Sequence, residues 1–128
     1  MNQDDFLKLV KEGWNALPKK FLKKINNVAL VVENWPTPLQ LKKVKNPYGL
    51  LLGLYEGVPQ TQRGFYNQAL PDRITIFQQP IELLANNDPE KIKQIVFHTI
   101  WHEVAHHFGF DEDGVKKAEK KKSLKINN

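Results

Sequence analysis

The sequence contains no cysteine, so disulfide bonds and thiolate metal ligands are both excluded. Any metal ion must therefore be bound by histidine, aspartate or glutamate. No stretch approaches the ~20 consecutive apolar residues that a membrane-spanning helix needs. The acidic start, with Asp4 and Asp5, lacks the apolar core of a secretory signal. These absences predict a cytoplasmic protein with no membrane partner.

Acidic residues are fewer than basic ones, which gives a formal net charge of +5 and a pI of about 9.4. Much of this positive charge comes from lysines in residues 114–128, the C-terminal tail. The tail lacks an arginine cluster and interleaved aromatic residues, so we expect no nucleic-acid partner. We expect one domain over residues 1–113, a monomer, followed by a solvated tail over residues 114–128. The lysines of this tail are Lys116, Lys117, Lys120, Lys121, Lys122 and Lys125.

An N-terminal amphipathic helix is predicted because Phe6, Val10 and Trp14 recur at helical spacing, and it should stop near Pro18. Loops are expected over residues 39–47 and 56–72, and one or two helical turns over residues 81–86.

Three short runs of apolar and β-branched residues predict strands at residues 28–32, 50–55 and 73–77. Together with the helices they predict an α+β fold. In this fold a small sheet of three or four strands packs on the N-terminal helix and on a central helix. The third strand closely precedes that helix, and it is our candidate edge strand for the addition of an extended peptide.

The central helix is predicted over residues 89–108. Asp88 is a typical N-cap, Pro89 suits the first helical position, and Gly109 is a typical helix stop. Apolar residues occupy most of its circumference, which indicates a buried helix.

The second half of this helix carries His102, Glu103 and His106. Positions i and i+4 share a helix face, so the two histidines can bind one ion together. Glu103 lies about a third of a turn away, within reach of a water on that ion. The pattern is typical of a catalytic zinc site, with His102 and His106 as metal ligands and Glu103 as the catalytic base.

A third ligand is expected in the acidic turn that follows. In the elongated form of the motif, a glycine three residues past the second histidine precedes the third ligand by three residues. That spacing selects Gly109 and then Glu112, while Asp113 and Asp111 are the alternatives. Three protein ligands and one open position characterise a catalytic zinc site.

Other histidines and tyrosines receive weaker assignments. We expect His98 on the helix surface and His107 as a packed or surface residue. His107, Tyr66 and Tyr55 are the candidates for stabilising an oxyanion.

Three stretches, in this order along the chain, resemble the minimal zincin-like metallopeptidases, a family of small single-domain bacterial proteins. They are residues 51–59 (LLGLYEGVP), residues 70–74 (LPDRI) with Phe77, Pro80 and Ile81, and residues 102–109 (HEVAHHFG). The resemblance covers roughly residues 4–113. It implies a reduced zincin fold and a zinc-dependent peptidase.

Two features set this chain apart from related patterns. The family usually has aspartate at the position of Glu112, so the third ligand stays open among Glu112, Asp113 and Asp111. Met1 is the only methionine, so the Met-turn of the metzincins is absent.

The sequence therefore predicts zinc-dependent hydrolysis of a peptide or protein substrate. The alternative is a metal-binding interaction or regulatory module that has a peptidase-like fold and no general proteolytic activity.

Overall fold

Each of the two long helices in the described residues has a capping side chain at its N-terminus. Asn2 accepts a hydrogen bond from the Asp5 amide at 2.8 Å and starts the first helix. Asp88 accepts one from the Glu90 amide at 3.1 Å, and Pro89 takes the first position of the last helix, where its missing N–H costs no hydrogen bond. Both long helices were expected, and both are confirmed.

The computed structural model describes residues 1–25, 27–44, 50–57 and 72–108. Its elements are α1 (Gln3–Asn15), α2 (Lys19–Lys24), β1 (Val28–Glu33), α3 (Pro38–Lys43), β2 (Gly53–Glu56), β3 (Asp72–Phe77), α4 (Gln78–Leu84) and α5 (Pro89–His107). This order is α+β, as predicted. None of the helices in the described ranges has the length and apolar character needed to cross a bilayer.

The helix α3 corrects the loop expected over residues 39–47. The Thr37 hydroxyl accepts a hydrogen bond from the Gln40 amide at 3.1 Å, and the Gln40 side chain accepts one from the Thr37 amide at 2.8 Å. This reciprocal capping box, with Pro38 at the first helical position, starts a helix too short to show an apolar period. The loop prediction is wrong for residues 39–43, and residues 45–49 lie outside the described part.

The three described strands form one mixed sheet in the order β1-β3-β2. β3 runs parallel to β1 and antiparallel to β2, with Ile74 opposite Leu30 on one side and Tyr55 on the other. The prediction that β3 is an edge strand is therefore wrong. Its residues are buried on both faces except for Arg73, as expected of a central strand.

The helix α5 packs against α1, against α4 and against both β2 and β3. It is central, as its apolar circumference indicated. Fully burying a large aliphatic or aromatic side chain contributes about 1.5–3 kcal/mol, so this shared core dominates the stability of the fold. The core side chains that join these elements are Phe6, Val10, Ile74, Ile76, Ile92, Val96, Ile100 and Val104.

A small polar cluster joins α3 to the edge of the sheet. The Lys43 ammonium forms an ion pair with Glu56, and the side-chain Nε2 of Gln40 donates to the same carboxylate at 3.3 Å. The hydrogen bond from Lys43 is the main cause that holds the pKa of Glu56 below its ordinary value of 4.5.

This lowered pKa predicts a pH-dependent contribution to stability. Because the folded pKa lies below the unfolded one, the stabilisation is present above pH ~4.5 and is lost as the pH falls through the folded value. Denaturant unfolding from about pH 6 to pH 3 should show a shallower loss of stability in Glu56→Gln than in the wild type. Lys43→Met should reproduce this change. Equal slopes in all three proteins would contradict the assignment.

Candidate metal centre

The last two turns of α5 bring His102, Glu103 and His106 together. One potential ligand atom from each residue lies within 4.8 Å of the others. The ring centroids of His102 and His106 are 5.0 Å apart. The i, i+4 spacing thus places both imidazoles beside one another, and their roles as ligands stay a prediction.

This donor set suits a metal ion. Imidazole nitrogens are ligands that zinc and related ions bind at about 2.0–2.1 Å, and a carboxylate beside them can act as a further ligand or as a base. Ligand atoms on one such ion lie a few ångströms apart, which the separation within 4.8 Å allows. Both histidines are half-buried and Glu103 is only 7% exposed, so these polar groups lie where unsatisfied groups would be costly.

The carboxylate of Glu103 is held by the sheet. Its Oε1 accepts a hydrogen bond from the backbone amide of Tyr55 at 2.9 Å. The donor belongs to β2, so one oxygen of Glu103 is oriented by a main-chain group that no side-chain substitution removes. The helix sets the position of Glu103, and β2 sets the direction of its carboxylate.

A glycine allows β2 to approach α5 this closely. A Cβ atom at Gly53 would lie 2.6 Å from Cγ2 of Thr99 and 3.3 Å from Cγ of Glu103. Any larger residue must push the strand away from the helix or displace these side chains. The close approach at Gly53 is therefore part of what allows the Tyr55 amide to reach Glu103.

A family model described as a zincin-like metallopeptidase matches residues 25–121. The chain belongs to the zincin-like metallopeptidase family. A solved structure with a similar fold is a conserved hypothetical protein from Thermo thermophilus, which is 23% identical with a TM-score of 0.56. The alignment covers 84% of this chain and 94% of that one, and at this identity it shows the fold alone. No curated protein matches the chain significantly.

The weaker sequence assignments of this zincin-like chain have separate outcomes. His98 is exposed, with its ring centroid 6.4 Å from that of His102, as expected of a surface residue. The Tyr55 hydroxyl donates to Oδ2 of Asp72 at 2.6 Å, and Nδ1 of His107 lies 3.1 Å from the same oxygen. Both oxyanion candidates therefore point at Asp72, and Tyr66 lies outside the described residues.

Asp72 is the residue at this site that sequence reasoning missed. The sequence predicts it at the end of a long loop, yet it opens β3 and is only 4% exposed. The available signal was its place in the stretch LPDRI at residues 70–74, directly before the strand predicted at residues 73–77. The sequence could not show what its carboxylate faces.

The candidates for the third ligand come after the last described residue, Phe108. Glu112, Asp111 and Asp113, together with Gly109, lie outside the described residues. The assignment of a third ligand, and the boundary between domain and tail at residue 113, both stay predictions.

Gly53 provides a direct test of the contact between β2 and α5. Gly53→Ala should lower the free energy of unfolding by about 1–3 kcal/mol, because its methyl group overlaps Cγ2 of Thr99. Thr99→Ser removes that carbon and retains the hydroxyl. Denaturant unfolding of both single variants and the double variant should therefore show that Thr99→Ser recovers part of the loss. Strictly additive losses would contradict a close contact at Gly53.

Proposed function

We propose that this protein is a zinc-dependent peptidase that hydrolyses peptide bonds in a peptide or protein substrate. The observation that supports this most strongly is the cluster on α5. Two half-buried imidazoles stand beside a buried carboxylate that a backbone amide from β2 orients. Membership of the zincin-like metallopeptidase family supports the same chemistry.

In this proposal His102 and His106 bind Zn²⁺, and Glu112 is the third ligand, with Asp113 and Asp111 as alternatives. The fourth coordination position stays open for the reaction. When bound, zinc supplies a Lewis acid that polarises the scissile carbonyl and lowers the pKa of water. This set uses only nitrogen and oxygen ligands, as a chain without cysteine requires.

Glu103 acts as the general base and then as the general acid. Its carboxylate accepts a proton from the attacking water and later delivers it to the leaving amine. The hydrogen bond from the Tyr55 amide occupies Oε1 and orients the carboxylate before the reaction begins. A group held in one direction in advance needs no reorganisation when the proton moves.

The edge strand for an extended substrate is β2 rather than the β3 strand favoured by the sequence. Within the described residues β2 pairs only with β3. The Tyr55 amide donates to Glu103, so this N–H points away from β3 and lies along the outer edge of β2. A peptide that pairs with this edge would pass beside Glu103, which supports a peptide as the substrate class.

The role of Glu103 is tested by Glu103→Gln. Glutamine keeps an oxygen that can accept from the Tyr55 amide but cannot serve as a base, so cleavage should fall by about 10²–10⁴-fold while zinc stays bound. Elemental analysis and cleavage of an unstructured protein, with and without chelator, measure the two properties. His102→Ala is the control that should lose zinc and cleavage together.

Two other outcomes of this experiment have definite meanings. Undiminished, chelator-sensitive cleavage by Glu103→Gln would remove Glu103 from the role of base. Zinc bound by the wild type without chelator-sensitive cleavage of general substrates would favour the metal-binding regulatory module instead.

The third ligand is tested by single alanine substitutions at Glu112, Asp113 and Asp111. Glu112→Ala should weaken zinc binding most, by more than about 10-fold, because it removes a direct ligand and leaves an incomplete set. Competition with a chromophoric chelator measures the affinity of each variant. Full affinity in Glu112→Ala, together with a loss in one of the two aspartate variants, would move the assignment to that aspartate.

A further inference from the structure

A second buried carboxylate, that of Asp72, contacts two residues that adjoin the candidate metal centre. Its side chain is 5% exposed, and its Oδ2 faces two partners at once. The Tyr55 hydroxyl donates to this oxygen at 2.6 Å, and Nδ1 of His107 lies 3.1 Å from it. A carboxylate oxygen accepts hydrogen bonds, so this contact is a hydrogen bond in the tautomer that carries a proton on Nδ1 of His107.

Each partner of Asp72 is linked to a residue of the site, Tyr55 by a hydrogen bond and His107 by the chain. Tyr55 is the residue whose backbone amide orients Glu103. His107 directly follows His106 in the last turn of α5. The rings of Tyr55 and His107, which share this oxygen, also contact each other. Their centroids are 5.6 Å apart in an edge-to-face arrangement. Asp72 therefore connects the strand that holds the base to the helical turn that carries a predicted ligand.

Two glycines suit this arrangement, one as the first residue of β2 and one directly after its last residue. Gly53 permits β2 to approach Glu103, and Gly57 leaves room for the Tyr55 hydroxyl beside Asp72. A Cβ atom at Gly57 would overlap the Tyr55 hydroxyl oxygen and would lie 3.0 Å from Cγ of Asp72. Tyr55 is thus held between two glycines, with its amide directed to one carboxylate and its hydroxyl to the other.

We propose that Asp72 is a positioning residue for the metal centre: through Tyr55 and His107 it fixes the Glu103 carboxylate relative to His106. The catalytic part of this inference rests on the proposed peptidase function. Asp72 touches neither substrate nor metal in this role. Its removal releases the Tyr55 ring and the His107 ring together, so that the side-chain link between β2 and the end of α5 is lost while their packing remains.

Substitutions separate the acceptor from its partners. Asp72→Ala removes the shared acceptor, while Asp72→Asn keeps an oxygen of the same reach and should retain part of the function. Tyr55→Phe removes one donor and leaves the backbone amide in place. Val10→Ala is a control, because it weakens the contact of α1 with the core and lies outside the Asp72 arrangement.

The first measurement needs neither metal nor activity. The chain has three tyrosines, so ¹⁵N-tyrosine labelling gives few amide signals, and Tyr55→Phe identifies the one from Tyr55. Asp72→Ala should accelerate hydrogen exchange of the Tyr55 amide by about 10-fold or more relative to Val10→Ala, when both are compared at equal global stability. Asp72→Asn and Tyr55→Phe keep the test informative if Asp72→Ala does not fold; for Tyr55→Phe the label is ¹⁵N-phenylalanine.

The second measurement uses the metal-loaded protein. Asp72→Ala should lower kcat or zinc affinity by about 10–100-fold with little change in KM, as is typical for groups that orient a metal site indirectly. The visible spectrum of the Co²⁺-substituted protein should shift, since it reports the ligand geometry. Val10→Ala should leave kcat, KM and spectrum unchanged, and Asp72→Asn should fall between Asp72→Ala and the wild type.

The results distinguish this inference from the proposed function. The positioning role would be overturned if Asp72→Ala and Val10→Ala, compared at equal stability, had the same Tyr55 amide exchange rate, the same Co²⁺ spectrum and the same kcat. This holds even if the protein is a zinc peptidase. If the wild type neither binds zinc nor cleaves peptides, the peptidase proposal fails, and the Tyr55 exchange rate alone decides whether Asp72 positions the Glu103 carboxylate.

Discussion

The hydrogen bond from the Tyr55 amide to Glu103 is the contact on which the site depends. It requires three conditions at once: α5 must be buried against the sheet, Gly53 must leave room, and β2 must keep its register against β3. A register shift of one residue would turn the Tyr55 amide towards β3 and its side chain to the opposite face. Strand pairing, glycine placement and the direction of the carboxylate are therefore one structural problem.

The same helix serves as the centre of the core and as the support of the candidate metal centre. Ile100 and Val104 bury one side of α5 in the core, while His102 and His106 stay half-buried on another. Close packing from α1, α4 and the sheet leaves the helix little freedom to rotate or slide. Side chains on such a helix keep their mutual geometry, which a site that binds an ion between two imidazoles needs.

Local features of this chain could be predicted from the sequence, and contacts between distant segments could not. The α5 helix was predictable because its N-cap, its first-turn proline and the spacing of His102 and His106 all lie within one segment. The short α3 depended on a capping box at Thr37 that apolar periodicity does not register. The central place of β3 and the contacts of Asp72 with Tyr55 and His107 join residues far apart in the sequence, so no local pattern could reveal them.

The parallel pairing of β1 with β3 has a consequence for how the molecule assembles. Val28 lies opposite Asp72, so this pairing closes a long stretch of chain. The conformational entropy of that closure is lost before the strand contacts can stabilise the pair. The two imidazoles, by contrast, are adjacent as soon as a few turns of α5 exist. We therefore expect a nascent or partly folded chain to bring His102 and His106 together early, and to acquire an oriented Glu103 only when β2 and β3 have docked. The pair of imidazoles and the oriented carboxylate would then arise at different stages of folding.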